Sequence, residues 1–166
     1  MACNGTEKKD DVKMGGFSVL SANHTSFTVS DLDRSVGFFC DALGFALLSK
    51  APRDAAIIRK ITGVDGADII VAYVEGPGGH RIELIEYLAP ADRRKVVSRP
   101  CDTGFAHLAY DVDDIDAALA ASALHGFQPL GAPVAINKGP NTGARVVYLR
   151  DDDGVTVEFI EKATET

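Results

Sequence analysis

The chain repeats itself, and this restricts its possible folds more than any feature of its composition. Residues 71–86, VAYVEGPGGHRIELIE, align without a gap to 146–161, VVYLRDDDGVTVEFIE, at a constant offset of 75 (Glu83 to Glu158). Val71/Val146, Tyr73/Tyr148, Gly79/Gly154, Glu83/Glu158, Ile85/Ile160 and Glu86/Glu161 are identical pairs. Earlier, HTSFTVSDLD from His24 aligns with HLAYDVDDID from His107 at an offset of 83. The smaller second offset means that the first copy carries about eight additional residues between the two blocks, most simply within 51–66.

The local patterns assign elements to both copies at once. Ala22 to Val29 alternates His24, Ser26 and Thr28 with Phe27 and Val29, and Ala106 to Val112 alternates His107 and Asp111 with Leu108, Tyr110 and Val112, so each stretch predicts a strand with its histidine on the less apolar face. Leu32, Val36, Phe39 and Leu43 then recur at helical spacing, with Ser30 as cap, Asp33 at the capping-box position and Gly44 as stop. In the second copy Asp113 is the expected cap of a helix carrying Ile115, Ala118, Leu119 and Ser122, ending at Gly126. Strands follow at 45–50, 67–75 and 80–88, and at 127–135, 143–150 and 155–161, the last two of each copy joined by GPGG or DDDG turns. DAAIIRKIT, 54–62, predicts a short inserted helix capped by Asp54.

The unit is therefore βαβββ, twice: modules 20–89 and 103–162, a linker at 90–102 and a loose polar tail at 1–19. Neither module can cover both faces of its own sheet, so the two are expected to pair into one α+β structure with a curved, barrel-like sheet. A chain of 166 residues, 46% hydrophobic, suffices for one such core.

Charge and cysteine content narrow the partners. A net charge of −7 argues against broad attraction to nucleic acid or anionic membrane. No apolar run approaches the roughly 20 residues that span a bilayer. Cys3, Cys40 and Cys101 form no C-x-x-C pair and cannot all pair within one chain, which favours a reducing, cytoplasmic setting.

Glu83 lies between Ile82, Leu84 and Ile85, and a buried ionised carboxylate costs several kcal/mol unless it is paired or bound to a cation. Strand alternation puts Glu83 on one face with Arg81 and Ile85, opposite Ile82 and Leu84; Glu158 shares its face with Ile160, opposite Val157 and Phe159. The duplication thus supplies two such carboxylates and two histidines, His24 and His107. If a pseudo-twofold relates the modules, all four side chains can converge inside the curved sheet. Two neutral imidazoles and two carboxylates cancel the charge of a divalent cation and leave two octahedral positions for water or a bidentate substrate.

This pattern resembles the vicinal oxygen chelate superfamily, which includes glyoxalase I, methylmalonyl-CoA epimerase, extradiol dioxygenases and the fosfomycin and bleomycin resistance proteins. HTSFTVSDLDRSVGFFCDALGF, HRIELIEY, GFAHLAYDVDDIDAAL and VVYLRDDDGVTVEFIE carry the resemblance, in the family's order, over about residues 20–162. It implies paired βαβββ units, commonly a homodimer with sites at the subunit interface, and a metal held by His24, Glu83, His107 and Glu158. The ligand set is nearest to glyoxalase I, lactoylglutathione lyase. There a divalent metal chelates vicinal oxygens of a small substrate, and carboxylates shuttle a proton through an enediolate. Carried over, Glu158 and Glu83 are the catalytic bases of a lyase or isomerase. Zinc, nickel, cobalt, manganese and iron all suit such ligands. Thr28 and Tyr87 depart from the bacterial glyoxalase I pattern, which often has an arginine and an asparagine there, the arginine contacting glutathione. An Fe(II) extradiol-type dioxygenase and a metal-free drug-binding resistance protein are the alternative readings.

Other polar residues read more plainly. Glu86 and Glu161 are expected to be surface charges, and Tyr73 and Tyr148 to be core or cross-strand packing. His80 and His125 do not match each other in the repeat and are not ligand candidates. The Gly-rich loop NKGPNTGAR offers Lys138, Asn141 and Arg145 as contacts for an anionic substrate group, or is simply a hairpin loop. Lys50, Arg53, Arg59 and Lys60 form a local basic stretch, expected to be a solvated face.

Overall fold

A computed structural model describes residues 16–162 and gives each copy of the repeat its own sheet. The tail predicted at 1–19, like Cys3, falls largely outside the described residues. The elements run β1 (Thr25–Val29), α1 (Leu32–Gly37), β2 (Ala46–Pro52), α2 (Ala55–Thr62), β3 (Asp68–Glu75) and β4 (Arg81–Ala89), then β5 (Leu108–Val112), α3 (Ile115–Ala123), β6 (Gln128–Pro129), β7 (Val134–Ala135), β8 (Arg145–Arg150) and β9 (Thr156–Glu161). The strand orders are β1-β4-β3-β2 and β5-β9-β8-β6, with β7 also on β8. In both sheets the first strand of the module runs parallel to its last, and the remaining pairs are antiparallel. The α+β class and the doubled βαβββ order are those predicted. Among the described residues no helix is long and apolar enough to cross a membrane.

Some local expectations are corrected. The predicted strand 127–135 breaks into β6 and β7, because Pro129 and Pro133 lack the amide hydrogens that a continuous ladder needs. Asp31, not Ser30, caps α1, its carboxylate accepting from the Arg34 amide; Asp114, not Asp113, caps α3 through the amides of Asp116 and Ala117. The predicted cap of α2 is borne out: Asp54 accepts from the Ile57 amide, and Gly63 ends the helix at φ 73°, a left-handed conformation that suits glycine. Beyond α1 the chain widens into a π-helical turn, Phe38–Ala42, which lets the adjacent Phe38 and Phe39 both enter the core.

Glu86 and Glu161 are not surface charges. Parallel pairing of β1 with β4, and of β5 with β9, places each carboxylate under the first turn of the following helix. Glu86 accepts from the Leu32 amide at 3.0 Å and Glu161 from the Ile115 amide at 3.2 Å, satisfying orphan donors where the helix dipole favours negative charge.

The core is shared between the modules. Leu32, Phe38, Phe39, Ile82 and Leu84 from the first cluster with Ile115, Phe127, Leu149, Val157 and Phe159 from the second. Phe38 stacks on Phe127 across the join, with ring centroids 3.6 Å apart. By alternation, the strand residues in this cluster lie on the helix-covered faces of their sheets, opposite Glu83 and Glu158.

An ionic cluster closes the same join. The DDDG turn folds around Asp151, whose Oδ1 accepts from the amides of Asp153 and Val155, each at 2.9 Å. Gly154 takes φ 87° there, and an added Cβ would meet the Val96 carbonyl of the linker at 3.2 Å. Asp153 Oδ2 receives the backbone amide of Ser30 at 2.7 Å and its hydroxyl at 2.9 Å, which occupies the residue expected to cap α1. Arg34 Nη2 lies 3.0 Å from Asp153 and 3.6 Å from Asp151, and Lys95 Nζ lies 3.4 Å from Asp153. Burial opposes ionisation of Asp153, but the two Ser30 bonds, then Arg34 and Lys95, outweigh it and hold its carboxyl below the ordinary value. Asp151 is pushed up, first by burial and then by the charge of Asp153, against the Val155 amide and Arg34.

Arg34→Ala removes the cation that offsets both carboxylates. With 26% of the Arg34 side chain exposed, the expected cost is about 2–3 kcal/mol, below the range for a fully buried pair. In the variant both carboxylates lack this cation and ionise less readily, so protonation relieves them. The gap from wild type should therefore be widest near neutral pH and narrow on acidification through the carboxylate range. Urea unfolding at several pH values measures it.

Candidate metal centre

The duplication recurs in the registers. Glu83 on β4 is the cross-strand partner of Ser26 on β1 and Tyr73 on β3; Glu158 on β9 is the partner of Ala109 on β5 and Tyr148 on β8. Each histidine immediately precedes or lies just before its module's first strand and reaches the carboxylate one strand over. His24 Nε2 is 3.2 Å from Glu83 Oε2, and His107 Nε2 is 3.1 Å from Glu158 Oε2. The two pairs are also equally open: 30% and 15% side-chain exposure in the first, 31% and 16% in the second.

The expected convergence of all four groups within one chain is not met. Among the described residues no three or more His, Cys, Asp or Glu side chains gather at metal-binding range. The physical reason is the shared core. The modules pack through their helix-covered faces, so the opposite faces, which carry the His–Glu pairs, are not brought together. What the chain builds is two matched His–Glu pairs on two sheets. The strands beside them, β1 and β5, are each outermost in their sheet.

The first half-site tests whether a cation suits these residues. Asn23 Oδ1 accepts from His24 Nδ1 at 2.7 Å, so in the neutral ring the lone pair is on Nε2. Nε2 and Glu83 Oε2 then face each other as two acceptors at 3.2 Å, a contact that is favourable only with a shared cation, either a proton or a metal ion. The donor set of imidazole nitrogen and carboxylate oxygen is one that zinc and its neighbours accept. The residues present fit half of a four-ligand site, twice.

Tyrosines stand beside both pairs, a feature missed in the sequence although Tyr73 and Tyr148 are identical partners in the repeat. The Tyr73 hydroxyl donates to Glu83 Oε1, leaving Oε2 toward His24. Burial first, then the hydrogen bond to Glu83 and its charge, push the Tyr73 phenol up to about 12, against the opposing charge of Arg53. Tyr148 Oη lies 3.3 Å from His107 Nε2, with ring centroids 4.7 Å apart, and its phenol is also raised, by burial and by the charge of Glu158.

The remaining candidates separate cleanly. Arg145 lies on the helix-covered face of β8 with Val147 and Leu149, where it pairs with Asp116 at 3.0 Å and Glu161 at 3.1 Å. Its guanidinium is therefore held on the side of the sheet opposite Glu158, which does not place it for the expected contact with a substrate there. Lys138 and Asn141 lie in the β7–β8 loop. His80, not expected to be a ligand, is 3.1 Å from the Thr25 hydroxyl. In the basic stretch, Lys50 pairs with Asp33 and Arg59 with Asp65, as on a solvated face.

Comparison with known proteins adds the family context. The family model described as the Glyoxalase/Bleomycin resistance protein/Dioxygenase superfamily matches residues 21–159. The chain is 36% identical over 145 residues to a 2-epi-5-epi-valiolone epimerase from Actinomyces sp., covering 85% of this chain and 79% of that protein. It is 32% identical over 148 residues to a lactoylglutathione lyase from Haemophilus influenzae, covering 86% and 94%. Among solved structures, a glyoxalase family protein from Bacillus cereus matches with a TM-score of 0.76 at 25% identity, over 90% of this chain and 98% of that one.

Proposed function

Because the chain belongs to the glyoxalase/bleomycin resistance protein/dioxygenase superfamily, we propose that it is a divalent-metal-dependent enzyme of the glyoxalase type whose active centres are each built by two copies. His24 and Glu83 of one protomer and His107 and Glu158 of its partner would hold the metal. The observation that carries this reading is the pair of equivalent half-sites, each with an imidazole nitrogen just over 3 Å from a carboxylate oxygen. The outermost positions of β1 and β5 among the described residues support it, because an edge strand can meet another copy.

A divalent cation bound there would supply Lewis-acid polarisation of adjacent substrate oxygens. The chain's own residues supply the proton transfer. The Glu158 carboxylate takes a proton from a carbon next to a carbonyl; the C–H electron pair becomes a carbon–carbon π bond and the carbonyl π pair moves onto its oxygen. Return of the proton to the neighbouring carbon gives an isomerised product, the net change of a glyoxalase-type reaction, and its return to the opposite face of the same carbon by a second base gives an epimer. Two relatives, one named an epimerase and one a lactoylglutathione lyase, are in keeping with these two outcomes. Glu83 is the second base candidate. Asn23 fixes the His24 ring, and Lys138 and Asn141 are candidate contacts for an anionic group of a small substrate. A reducing, cytoplasmic setting completes this reading, in keeping with Cys40 and Cys101 being unbridged among the described residues.

Protein purified without chelator, analysed for elements and sized by sedimentation, tests this directly. The expected result is a two-chain species with about one divalent metal per chain, since a twofold dimer repeats the same centre twice. A monomer that retains metal stoichiometrically would sink the shared centre, and a dimer that takes up none on reconstitution would sink the metal.

A further inference from the structure

We propose that Tyr73 is a positioning residue that fixes which oxygen Glu83 presents to a divalent cation, an inference that rests on the metal-dependent reading above. Tyr73 and Glu83 are direct cross-strand partners, so their side chains rise from the same face of neighbouring strands. The two oxygens of Glu83 have separate partners: Oε1 accepts from the Tyr73 hydroxyl, and Oε2 faces His24 Nε2 at 3.2 Å. A carboxylate rotates almost freely about its last torsion unless something holds it. With Oε1 held by a phenol, Oε2 is the oxygen left for coordination, aimed at the nitrogen that would share the metal. Partners of this kind, which orient a ligand without touching the metal, are worth a measurable fraction of affinity.

The duplication supplies its own control. Tyr148 occupies the equivalent position against Glu158, yet its hydroxyl lies 3.3 Å from His107 Nε2 instead of bonding the carboxylate. A cation can bind His107 only with Nε2 unprotonated, and a phenol donating to that nitrogen then competes with the cation for its lone pair. Loss of the Tyr148 hydroxyl is therefore expected to leave affinity unchanged or to raise it, whereas loss of the Tyr73 hydroxyl lowers it. A role confined to sheet packing would make the two substitutions behave alike, since each removes one oxygen at the same place in its module.

The test is titration of the chelator-stripped full chain with Co(II), read by competition with a chromophoric chelator and by the visible absorption of the bound ion. Tyr73→Phe should weaken Co(II) binding about 10–100-fold and change the absorption of the saturated protein. Tyr148→Phe should do neither. Wild-type affinity and absorption in Tyr73→Phe, or equal losses in both variants, would overturn the proposal while leaving the metal-dependent reading intact. If wild-type protein binds no Co(II), both fail together. Should Tyr73→Phe lower the stability of the metal-free protein, the spectrum at saturation still decides, because a packing defect alone leaves the ligand field of the bound ion unchanged.

Discussion

Glu158→Gln is expected to fold, dimerise and yet lose turnover by about 10²–10⁴-fold, the range associated with removing a positioned general base. Glutamine keeps the shape of the side chain and one carbonyl oxygen for the contact with His107, which is 3.1 Å in the native pair. It cannot take up a proton. The substitution strands no buried cation, because about a third of the His107 side chain is exposed. Stability should therefore change by less than about 0.5 kcal/mol, as for other substitutions away from the core. The loss should be in kcat more than in KM, because proton abstraction is made only in the transition state. Two compounds in the relatives' names serve as assay probes, lactoylglutathione and 2-epi-5-epi-valiolone. Measurement is made at saturating metal, so that a weakened site is not mistaken for a lost base. Turnover equal to wild type in Glu158→Gln would remove this residue from the chemistry.

The sequence made the order and register of the elements legible because the repeat is nearly gapless. A single offset relates Tyr73 to Tyr148 and Glu83 to Glu158, and the observed cross-strand pairs Tyr73–Glu83 and Tyr148–Glu158 obey it. Alternation also identified which residues share a face with each ligand candidate. It could not say which face of each sheet packs against the other module, since Val71 and Ile85 on one face look as apolar as Ile82 and Leu84 on the other. That choice decides whether the His–Glu pairs meet inside one chain, and the packing of Phe38 on Phe127 decides it against them. The helix caps failed for a related reason. Ser30 and Asp31 are both able to cap, and a distant carboxylate, Asp153, takes Ser30. Glu86 acquires its role only once β4 lies parallel to β1, a pairing of segments more than fifty residues apart in the chain. By contrast, the broken strand at Pro129 and Pro133 carried its signal openly in two prolines.

Two inactive variants mixed together should regain about a quarter of wild-type activity, and the arithmetic follows from twofold symmetry. In His24→Ala the first module is defective and the second intact; in Glu158→Gln the reverse holds. Homodimers of either variant have one defective half in both centres. If each centre joins the first module of one protomer to the second module of its partner, a mixed dimer places both defects in one centre. The other centre is then wild type at every ligand. Random reassortment makes about half of the dimers mixed, and each contributes one good centre of two. A site formed within one chain permits no such rescue, because every chain in the mixture carries one of the defects. The geometry favours rescue: each half-site sits beside the outermost strand of its sheet, and no third ligand joins either pair within the described residues. Co-expression with two different affinity tags isolates the mixed dimer and raises the expected activity to about half, since every molecule then has one intact centre. Activity in that tagged species no higher than in the parents would show that subunits do not share the centre.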